Sequence, residues 1–445
     1  MGSNSAASEY DRVRVLWTDL NGIARGNVVP ASTFDRQRED GFGFAAGVAE
    51  LTLEPGLLEN STYGPESGDV VAVPDAAPPI PLEWREGVGL AFADLTHVDR
   101  TPFALCSRTA LDRVTAALEA AGYVPRVGIE LEFSVLRSAD DGGYEPFNDR
   151  SSYAMDALDR ATELIDDWTD AMTAAGLEVT CVHQESQPGQ YEITFEHGDP
   201  IEIADGVAFV RHMLTSVANQ HGVTASMMPA PYTGADANGM HVHLSLWDDA
   251  LETNAFAAET NDLEFPSGTR PDGAGISAVA RHAIAGLLAH SNALTAVCAP
   301  TVNSYRRLRP GSWAPVSIAW GPDNRSTVLR VPPHLGPATR LEFRLPDTSS
   351  NPYLVLAAVL AAGLDGIENQ RDPPAPTTGN AQREEHERLP RTLWAALDHL
   401  EANEVVARQL GEPLVESFIS IKRDEFDRYQ GAVSEWERET YLDAF

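Results

Sequence analysis

A chain of 445 residues with 43% hydrophobic and 8% aromatic side chains can bury at least one large core, which excludes an intrinsically disordered protein and leaves room for two domains. Asp and Glu number 66 against 32 Lys and Arg, a formal net charge of -34, so the basic footprint needed to hold a phosphate backbone is missing and no nucleic-acid partner is expected. Lys422 is the one lysine; an acidic, lysine-poor surface suits a protein working in concentrated salt, where self-repulsion is screened, and a halophilic cytoplasm is the expected setting.

From the N-terminus, residues 1–10 are small and polar, with no basic segment leading into an apolar one, so no signal peptide is expected. Residues 12–20 alternate apolar and polar, meet Asn21-Gly22, and return through residues 23–29, a hairpin pattern. Short Gly- and Pro-punctuated pieces follow, and the first hundred residues read as a small β-rich unit. Ser107 is a plausible N-cap for a helix in which Leu111, Val114 and Leu118 recur at helical spacing before Gly122. Helices are predicted over residues 152–175, 276–297 and 351–369, with loops at 142–143, 268–273 and 371–379, the last being the most flexible candidate. The run 353–364 is too short to span a bilayer, so no membrane partner is expected. Cys106, Cys181 and Cys298 are scattered and odd in number, consistent with reduced thiols in a cytosol. Strands and helices do not alternate strictly, which predicts an α+β fold rather than a doubly wound sheet.

Three strand-like segments carry unusual polar faces. Glu130 and Glu132 lie opposite Ile129, Leu131 and Phe133; His241, His243 and Ser245 lie opposite Val242, Leu244 and Leu246; Arg340, Glu342 and Arg344 lie opposite Leu341, Phe343 and Leu345. Glu185 and Glu192 flank a Pro-Gly turn that brings their carboxylates back towards each other. Five acids with one imidazole, His241, suit Mg2+ or Mn2+ better than zinc, and so many acids at one place require more than one divalent ion. An Arg-dense stretch at 303–316, followed by Arg325 and Arg330, supplies fork-shaped donors for carboxylate and phosphate. Divalent metals with Arg clamps are the parts needed for phosphoryl transfer; surface ion pairing is the bland alternative for each Arg taken singly.

In their order, the strand 128–133, the turn 185–192, Gly-Met-His-Val-His at 239–243, Asn-Ser-Tyr-Arg-Arg at 303–307, Asn-Arg-Ser at 324–326 and Arg-Leu-Glu-Phe-Arg at 340–344 with Asn351-Pro352-Tyr353 resemble the glutamine synthetase family, from about residue 12 to the C-terminus. The resemblance implies a small N-terminal β-grasp domain over residues 1–104 and a catalytic domain over 105–445 with an antiparallel sheet and helices. It also implies a homo-oligomer of two stacked rings, a dodecamer or similar, with active sites between neighbouring subunits. By position, it implies that Glu132, Glu185 and Glu192 hold one metal and Glu130, His241 and Glu342 the other. His243 and Ser245 would lie along ATP, Arg307 would hold the glutamate carboxylate, and Arg344 would sit beside the transferred phosphoryl group. Arg325, Arg330 and Arg340 would face the ATP phosphates. The implied chemistry is attack of the glutamate γ-carboxylate on ATP and capture of the acyl phosphate by an amine.

The pattern breaks where family members that use ammonia carry two acids. The N-terminal Asp-Gly-Ser-Ser stretch is replaced by an acid-free segment at 41–48, and Trp313 stands in the loop 310–315 where the family has Glu. Ammonium is strongly hydrated and needs anionic or lone-pair partners, whereas an apolar wall suits the carbon skeleton of an organic amine, so that amine is the expected acceptor and ammonia the alternative. Glu50 and Glu54 are candidate replacements for the lost acids. Asp236-Ala237-Asn238-Gly239 replaces a family segment that contacts glutamate. A catalytically silent nitrogen sensor and a zinc hydrolase built on His241 and His243 are readings of other classes; the intact acids and arginines argue against the first and the absence of further His ligands against the second.

If the charge reflects adaptation to salt, dialysis from molar KCl into dilute buffer lowers the thermal midpoint, followed by circular dichroism; a midpoint independent of salt would leave the protein merely acidic.

Overall fold

The computed structural model describes residues 7, 9–54, 56–59, 61–140, 142–150, 152–248, 250–258, 275–334 and 336–445. The loop expected at 268–273 lies outside them. The architecture is α+β, with two sheets. The first places its strands in the order Ala24–Pro30, Arg12–Thr18, Val88–His97, Asp69–Pro74, Phe42–Ala45, with Ile80–Pro81 also on Val88–His97. Its hairpin turns at Asn21-Gly22 as the sequence predicts, with Thr18 opposite Ala24. Arg12–Thr18 runs parallel to Val88–His97, and the remaining pairs are antiparallel.

The second sheet runs Trp320–Pro322, Leu329–Val331, Leu341–Phe343, Met240–Trp247, Val124–Ser138, Gln190–Phe195, Val179–Gln184, with Tyr144–Pro146 and Thr224–Ser226 added to its long strand. It is antiparallel apart from the first pair. Val124–Ser138 is central because its apolar face (Ile129, Leu131, Phe133, Val135) is wholly buried. Helices Pro200–Gln220, Ala278–Cys298 and Pro352–Glu368 form the buried layer of the half that carries the second sheet. The last is apolar all round, which is why it sits inside the core rather than on its surface. Among the described residues, no helix is long and apolar enough to cross a membrane.

Two expected elements differ in detail. The helix after Cys106 spans Ser107–Ala120, so Ser107 is its first helical residue rather than its cap, and its hydroxyl is turned to the Thr18 carbonyl at 3.5 Å. The helix expected from residue 152 begins only at Met155 and breaks at Ala161, because Ser152 and Tyr153 both adopt positive φ, 57° and 63°. The segment 371–379 lacks regular structure, yet Trp320 Nε1 donates to Pro374 O at 2.7 Å and Asn324 Nδ2 to Thr377 O at 2.9 Å, so it is laced to the sheet.

Asn351 is one of the residues that join the two halves. Asn351 caps Pro352–Glu368 by accepting from Tyr353 N at 3.0 Å and Leu354 N at 3.2 Å, while its Nδ2 donates to Asp19 O in the first hairpin at 2.8 Å. Gly22 lies against it with φ 81°, and a Cβ there would come within 3.0 Å of the Asn351 backbone. Asn351→Ala removes both the cap and the cross-link, and urea unfolding should show a loss of about 2–3 kcal/mol.

Candidate active site

The register of the second sheet sets the site. Glu192 pairs with Glu132 and with His183 on its other side, Glu130 pairs with His241, and His243 pairs with Glu342, which pairs in turn with Arg330. Three rows of acids, imidazoles and guanidinium therefore cross one face of the sheet. Glu130, Glu132, His183, Glu192 and His241 of these rows line a cavity of about 800 Å³ that reaches Glu185, Tyr153, Arg307, Arg325, Arg344 and Trp313, whereas His243, Glu342 and Arg330 lie outside its wall.

Two groups of side chains present ligand atoms within 4.8 Å of one another: Glu130, His243 and Glu342, and His183, Glu185 and Glu192. His241 adjoins the first group and Glu132. Its Nδ1 is 2.8 Å from Glu130 and 3.9 Å from Glu342, and its Nε2 is 4.0 Å from Glu132. His243 Nε2 lies 2.9 Å from Glu130, and its Nδ1 accepts from Arg340 Nε at 3.1 Å. Glu132 accepts from Gly239 N at 2.7 Å and from Gln190 Nε2 at 3.3 Å. Gly239 leaves room for both side chains: a Cβ would stand 2.9 Å from the Arg307 guanidinium and 3.0 Å from the His241 ring, so one of them would have to shift. Oxygen-rich donor sets with one imidazole each fit divalent cations of the Mg2+ and Mn2+ kind.

The charges are strongly interdependent. Burial and then the neighbouring carboxylates of Glu130, Glu132, Glu185 and Glu342 push the Glu192 carboxyl up to about 9. Glu132 is also raised, by burial. Burial opposes ionisation of Glu130 as well, but hydrogen bonds from His241 and His243 outweigh it and hold that carboxyl far below its usual range. Glu342 overcomes burial through Arg344, then His241 and His243, and falls to about 2. It is hydrogen-bonded by both Arg330 and Arg344. A metal-free site thus keeps a proton on Glu192.

The arginines take different positions. Arg307 is buried and donates to Leu345 O at 2.8 Å and Arg344 O at 3.0 Å. Arg344 lines the cavity, and its buried Nε has no protein partner, as a group awaiting an anion would. Arg325 is exposed on the cavity wall. Arg330, Arg340 and Ser245 stand outside that wall: Arg330 holds Asp323 at 2.6 Å, and Ser245 accepts from Trp247 Nε1 at 3.0 Å. Trp313 is 68% exposed at the cavity rim. Glu50 is buried and accepts from Ser417 Oγ at 2.6 Å, and Glu54 pairs with Arg428 at 2.9 Å. Neither borders the cavity.

Two residues escaped the sequence reading. His183 lies 2.9 Å from Glu185, and the signal was there: it precedes Glu185 by two residues on one strand face. Tyr153 stacks on His183 with ring centroids 5.3 Å apart and donates to Glu185 at 3.1 Å. Its position depends on two consecutive left-handed residues, which no local pattern announced.

A family model described as "Glutamine synthetase, catalytic domain" matches residues 104–441. The chain is 37% identical to a glutamine synthetase of Methanocaldococcus jannaschii, over 97% of this chain and 94% of that protein. It is 35% identical to one of Halobacterium salinarum, over 99% and 95%. A solved GmaS/ADP complex is 34% identical, with a TM-score of 0.88 and full coverage of both chains.

The protonated Glu192 makes a prediction about metal binding. A cation entering the His183–Glu185–Glu192 group must displace that proton, so affinity for Mn2+ rises by up to about tenfold per pH unit between pH 6 and 8 and levels off near the raised carboxyl value of about 9. A folded value above the unfolded one also means that the metal-free fold loses stability as pH climbs towards 9, and saturating Mn2+ reverses that loss. Calorimetry in buffers of different ionisation enthalpy reads the released proton, and Glu192→Gln flattens the dependence.

Proposed function

The chain belongs to the glutamine synthetase family of ATP-dependent glutamate–amine/ammonia ligases, and from that premise we propose that it activates glutamate with ATP and transfers the γ-glutamyl group to an organic amine. The observation that carries this acceptor is Trp313, an exposed indole at the rim of the cavity in the loop 310–315, which holds no acid. Tyr153, Ala235, Ala237 and Ala314 add apolar and aromatic surface around the same opening. Such a wall offers little to replace the hydration of ammonium, but it accepts a carbon skeleton, and an indole face attracts an alkylammonium cation. Kinship with GmaS, solved both without ligand and with ADP, supports the nucleotide part of the reading.

In this mechanism Arg307 fixes the α-carboxylate of glutamate, and Arg344, with its free Nε, faces the γ-carboxylate and the phosphoryl group it receives. Arg325 neutralises the ATP phosphates from the exposed wall; Arg330 and Arg340, with His243 and Ser245, complete the nucleotide side. A glutamate oxygen bonds to the γ-phosphorus as the bond to ADP breaks. The amine nitrogen then bonds to the acyl carbon, the bond to phosphate breaks, and the amine gives up a proton, which we assign to Glu185, a carboxylate of the cavity held by Tyr153 and His183. Mg2+ or Mn2+ bound by Glu130, Glu132, Glu185, Glu192, His241 and Glu342, with His183 and His243 adjoining, would supply charge neutralisation during phosphoryl transfer. We take residues 1–104 as the β-grasp domain and 105–445 as the catalytic domain, in a two-ring homo-oligomer of a halophilic cytoplasm. The chain's 35% identity to a glutamine synthetase of the halophile Halobacterium salinarum favours ammonia as the second reading.

Phosphate release with glutamate and ATP decides between them. Small alkylamines should exceed ammonium in kcat/KM, and Trp313→Ala should lower the alkylamine value about tenfold or more while changing glutamate KM little. Efficient turnover with ammonium alone would refute the organic acceptor.

A further inference from the structure

A second cavity, of about 900 Å³, lies between the first hairpin, the helix Pro200–Gln220 and the C-terminal helix Glu412–Gly431. It is separate from the metal groups: Arg306 is the residue that borders both cavities. Its wall carries Arg211, Arg306, Lys422 and Arg428 against Glu54, Asp424 and Glu425. In a chain with a net charge of -34, a recess with more cations than carboxylates needs a cause.

Two of these cations are already satisfied. Arg428 pairs with Glu54 at 2.9 Å and Asp424 at 2.8 Å, and Lys422 with Glu425 at 3.1 Å. Arg306 and Arg211 have no carboxylate within ion-pair distance among the described residues. Arg306 donates to Tyr429 Oη at 3.0 Å. Arg211 is the sharper case. Its Nε is buried without a partner, and its hydrogen bond goes to the sulfur of Met240, at 3.3 Å. Burial pulls it down to about 10, opposed only by the charges of Asp347 and Tyr353. A guanidinium taken from water with no carboxylate at ion-pair distance is costly, and a helix so apolar would accept Leu or Met there. His212 beside it is kept neutral, chiefly by burial, and is 2.8 Å from Arg14, so it supplies no anion. Leu53, Met227, Met228 and Val302 provide apolar wall.

We propose that this cavity is a second ligand site, taking a small organic carboxylate whose anionic end pairs with Arg211 and whose apolar body lies on Met227, Met228 and Leu53. The carboxylate meets the guanidinium fork, which answers its missing partner. A cavity of this size holds a metabolite-sized molecule, and Arg306 places the occupant one side chain from the catalytic cavity.

The test uses the whole enzyme at constant ionic strength, with benzoate, succinate and inorganic phosphate as probes and the thermal midpoint and titration calorimetry as readouts. Benzoate raises the midpoint saturably. Arg211→Met keeps the basal rate of phosphate release and loses the benzoate response; Met228→Trp, which fills the cavity from an exposed position, loses it too and stands in if Arg211→Met does not fold. No saturable binding of either carboxylate, or a benzoate response unchanged in both variants, overturns the site. A response to phosphate alone overturns the carboxylate assignment. These readouts do not depend on which amine the enzyme uses.

Discussion

Mutual repulsion among the carboxylates on one sheet face is the constraint around which the rest is arranged. Two such charges about 5 Å apart cost on the order of 3 kcal/mol at the effective dielectric of a protein, and five acids multiply the pairs. The chain meets this in three ways. Imidazoles of His241 and His243 sit between Glu130 and its neighbours. Guanidinium groups of Arg330 and Arg344 hold Glu342 from both sides. Glu192, whose nearest imidazole, His183, stands 3.9 Å away, keeps its proton. Cations complete what the protein leaves unbalanced, so metal binding and site assembly are one equilibrium.

This explains the rigidity around the acids. Gly239 is pressed between Arg307, His241 and Glu132, the Asn238 amide is bonded to Ser134 and Met228, and the long strand Val124–Ser138 packs on the helix Pro200–Gln220. Charges held so close cannot be allowed to move apart, because the energy that a cation or a phosphate recovers depends on their spacing. The capped start of Pro352–Glu368, tied by Asn351 to the first hairpin, carries that rigidity to the N-terminal sheet.

Alternation along single strands made most of the site legible. Glu130 and Glu132, His241 and His243, and Glu342 each follow from a period of two, and their residue types name hard-cation chemistry. What alternation cannot give is register. The family resemblance groups His241 with Glu130 and Glu342; the geometry keeps His241 beside them and draws His243 in as well, because His243 lies directly opposite Glu342. Nor could it reveal Tyr153: a helical pattern from residue 152 concealed two left-handed residues, whose cost is offset by stacking on His183 and a hydrogen bond to Glu185. Arg211 was hidden for a similar reason. It sits on a buried helix, where its lack of a partner is a property of three-dimensional neighbours and not of its sequence context.

The acceptor side follows from the same electrostatics. A carboxylate added where Trp313 stands would join a cavity already crowded with Glu130, Glu132, Glu185 and Glu192 and would raise their repulsion further. It is worthwhile if a small cation must be stripped of water there. An alkylamine brings apolar surface, and each buried methylene contributes about 0.8 kcal/mol, so an aromatic rim can do by contact what an acid does by charge. Glu50 and Glu54 are held elsewhere within this chain, one buried in the junction with the helix Glu412–Gly431 and the other paired with Arg428, so neither adds its charge to this chain's own cavity. On the proposed reading, an acceptor side without acids beside a metal side that keeps Glu130, Glu132, Glu185 and Glu192 is the pattern a changed nucleophile with unchanged phosphoryl chemistry would leave.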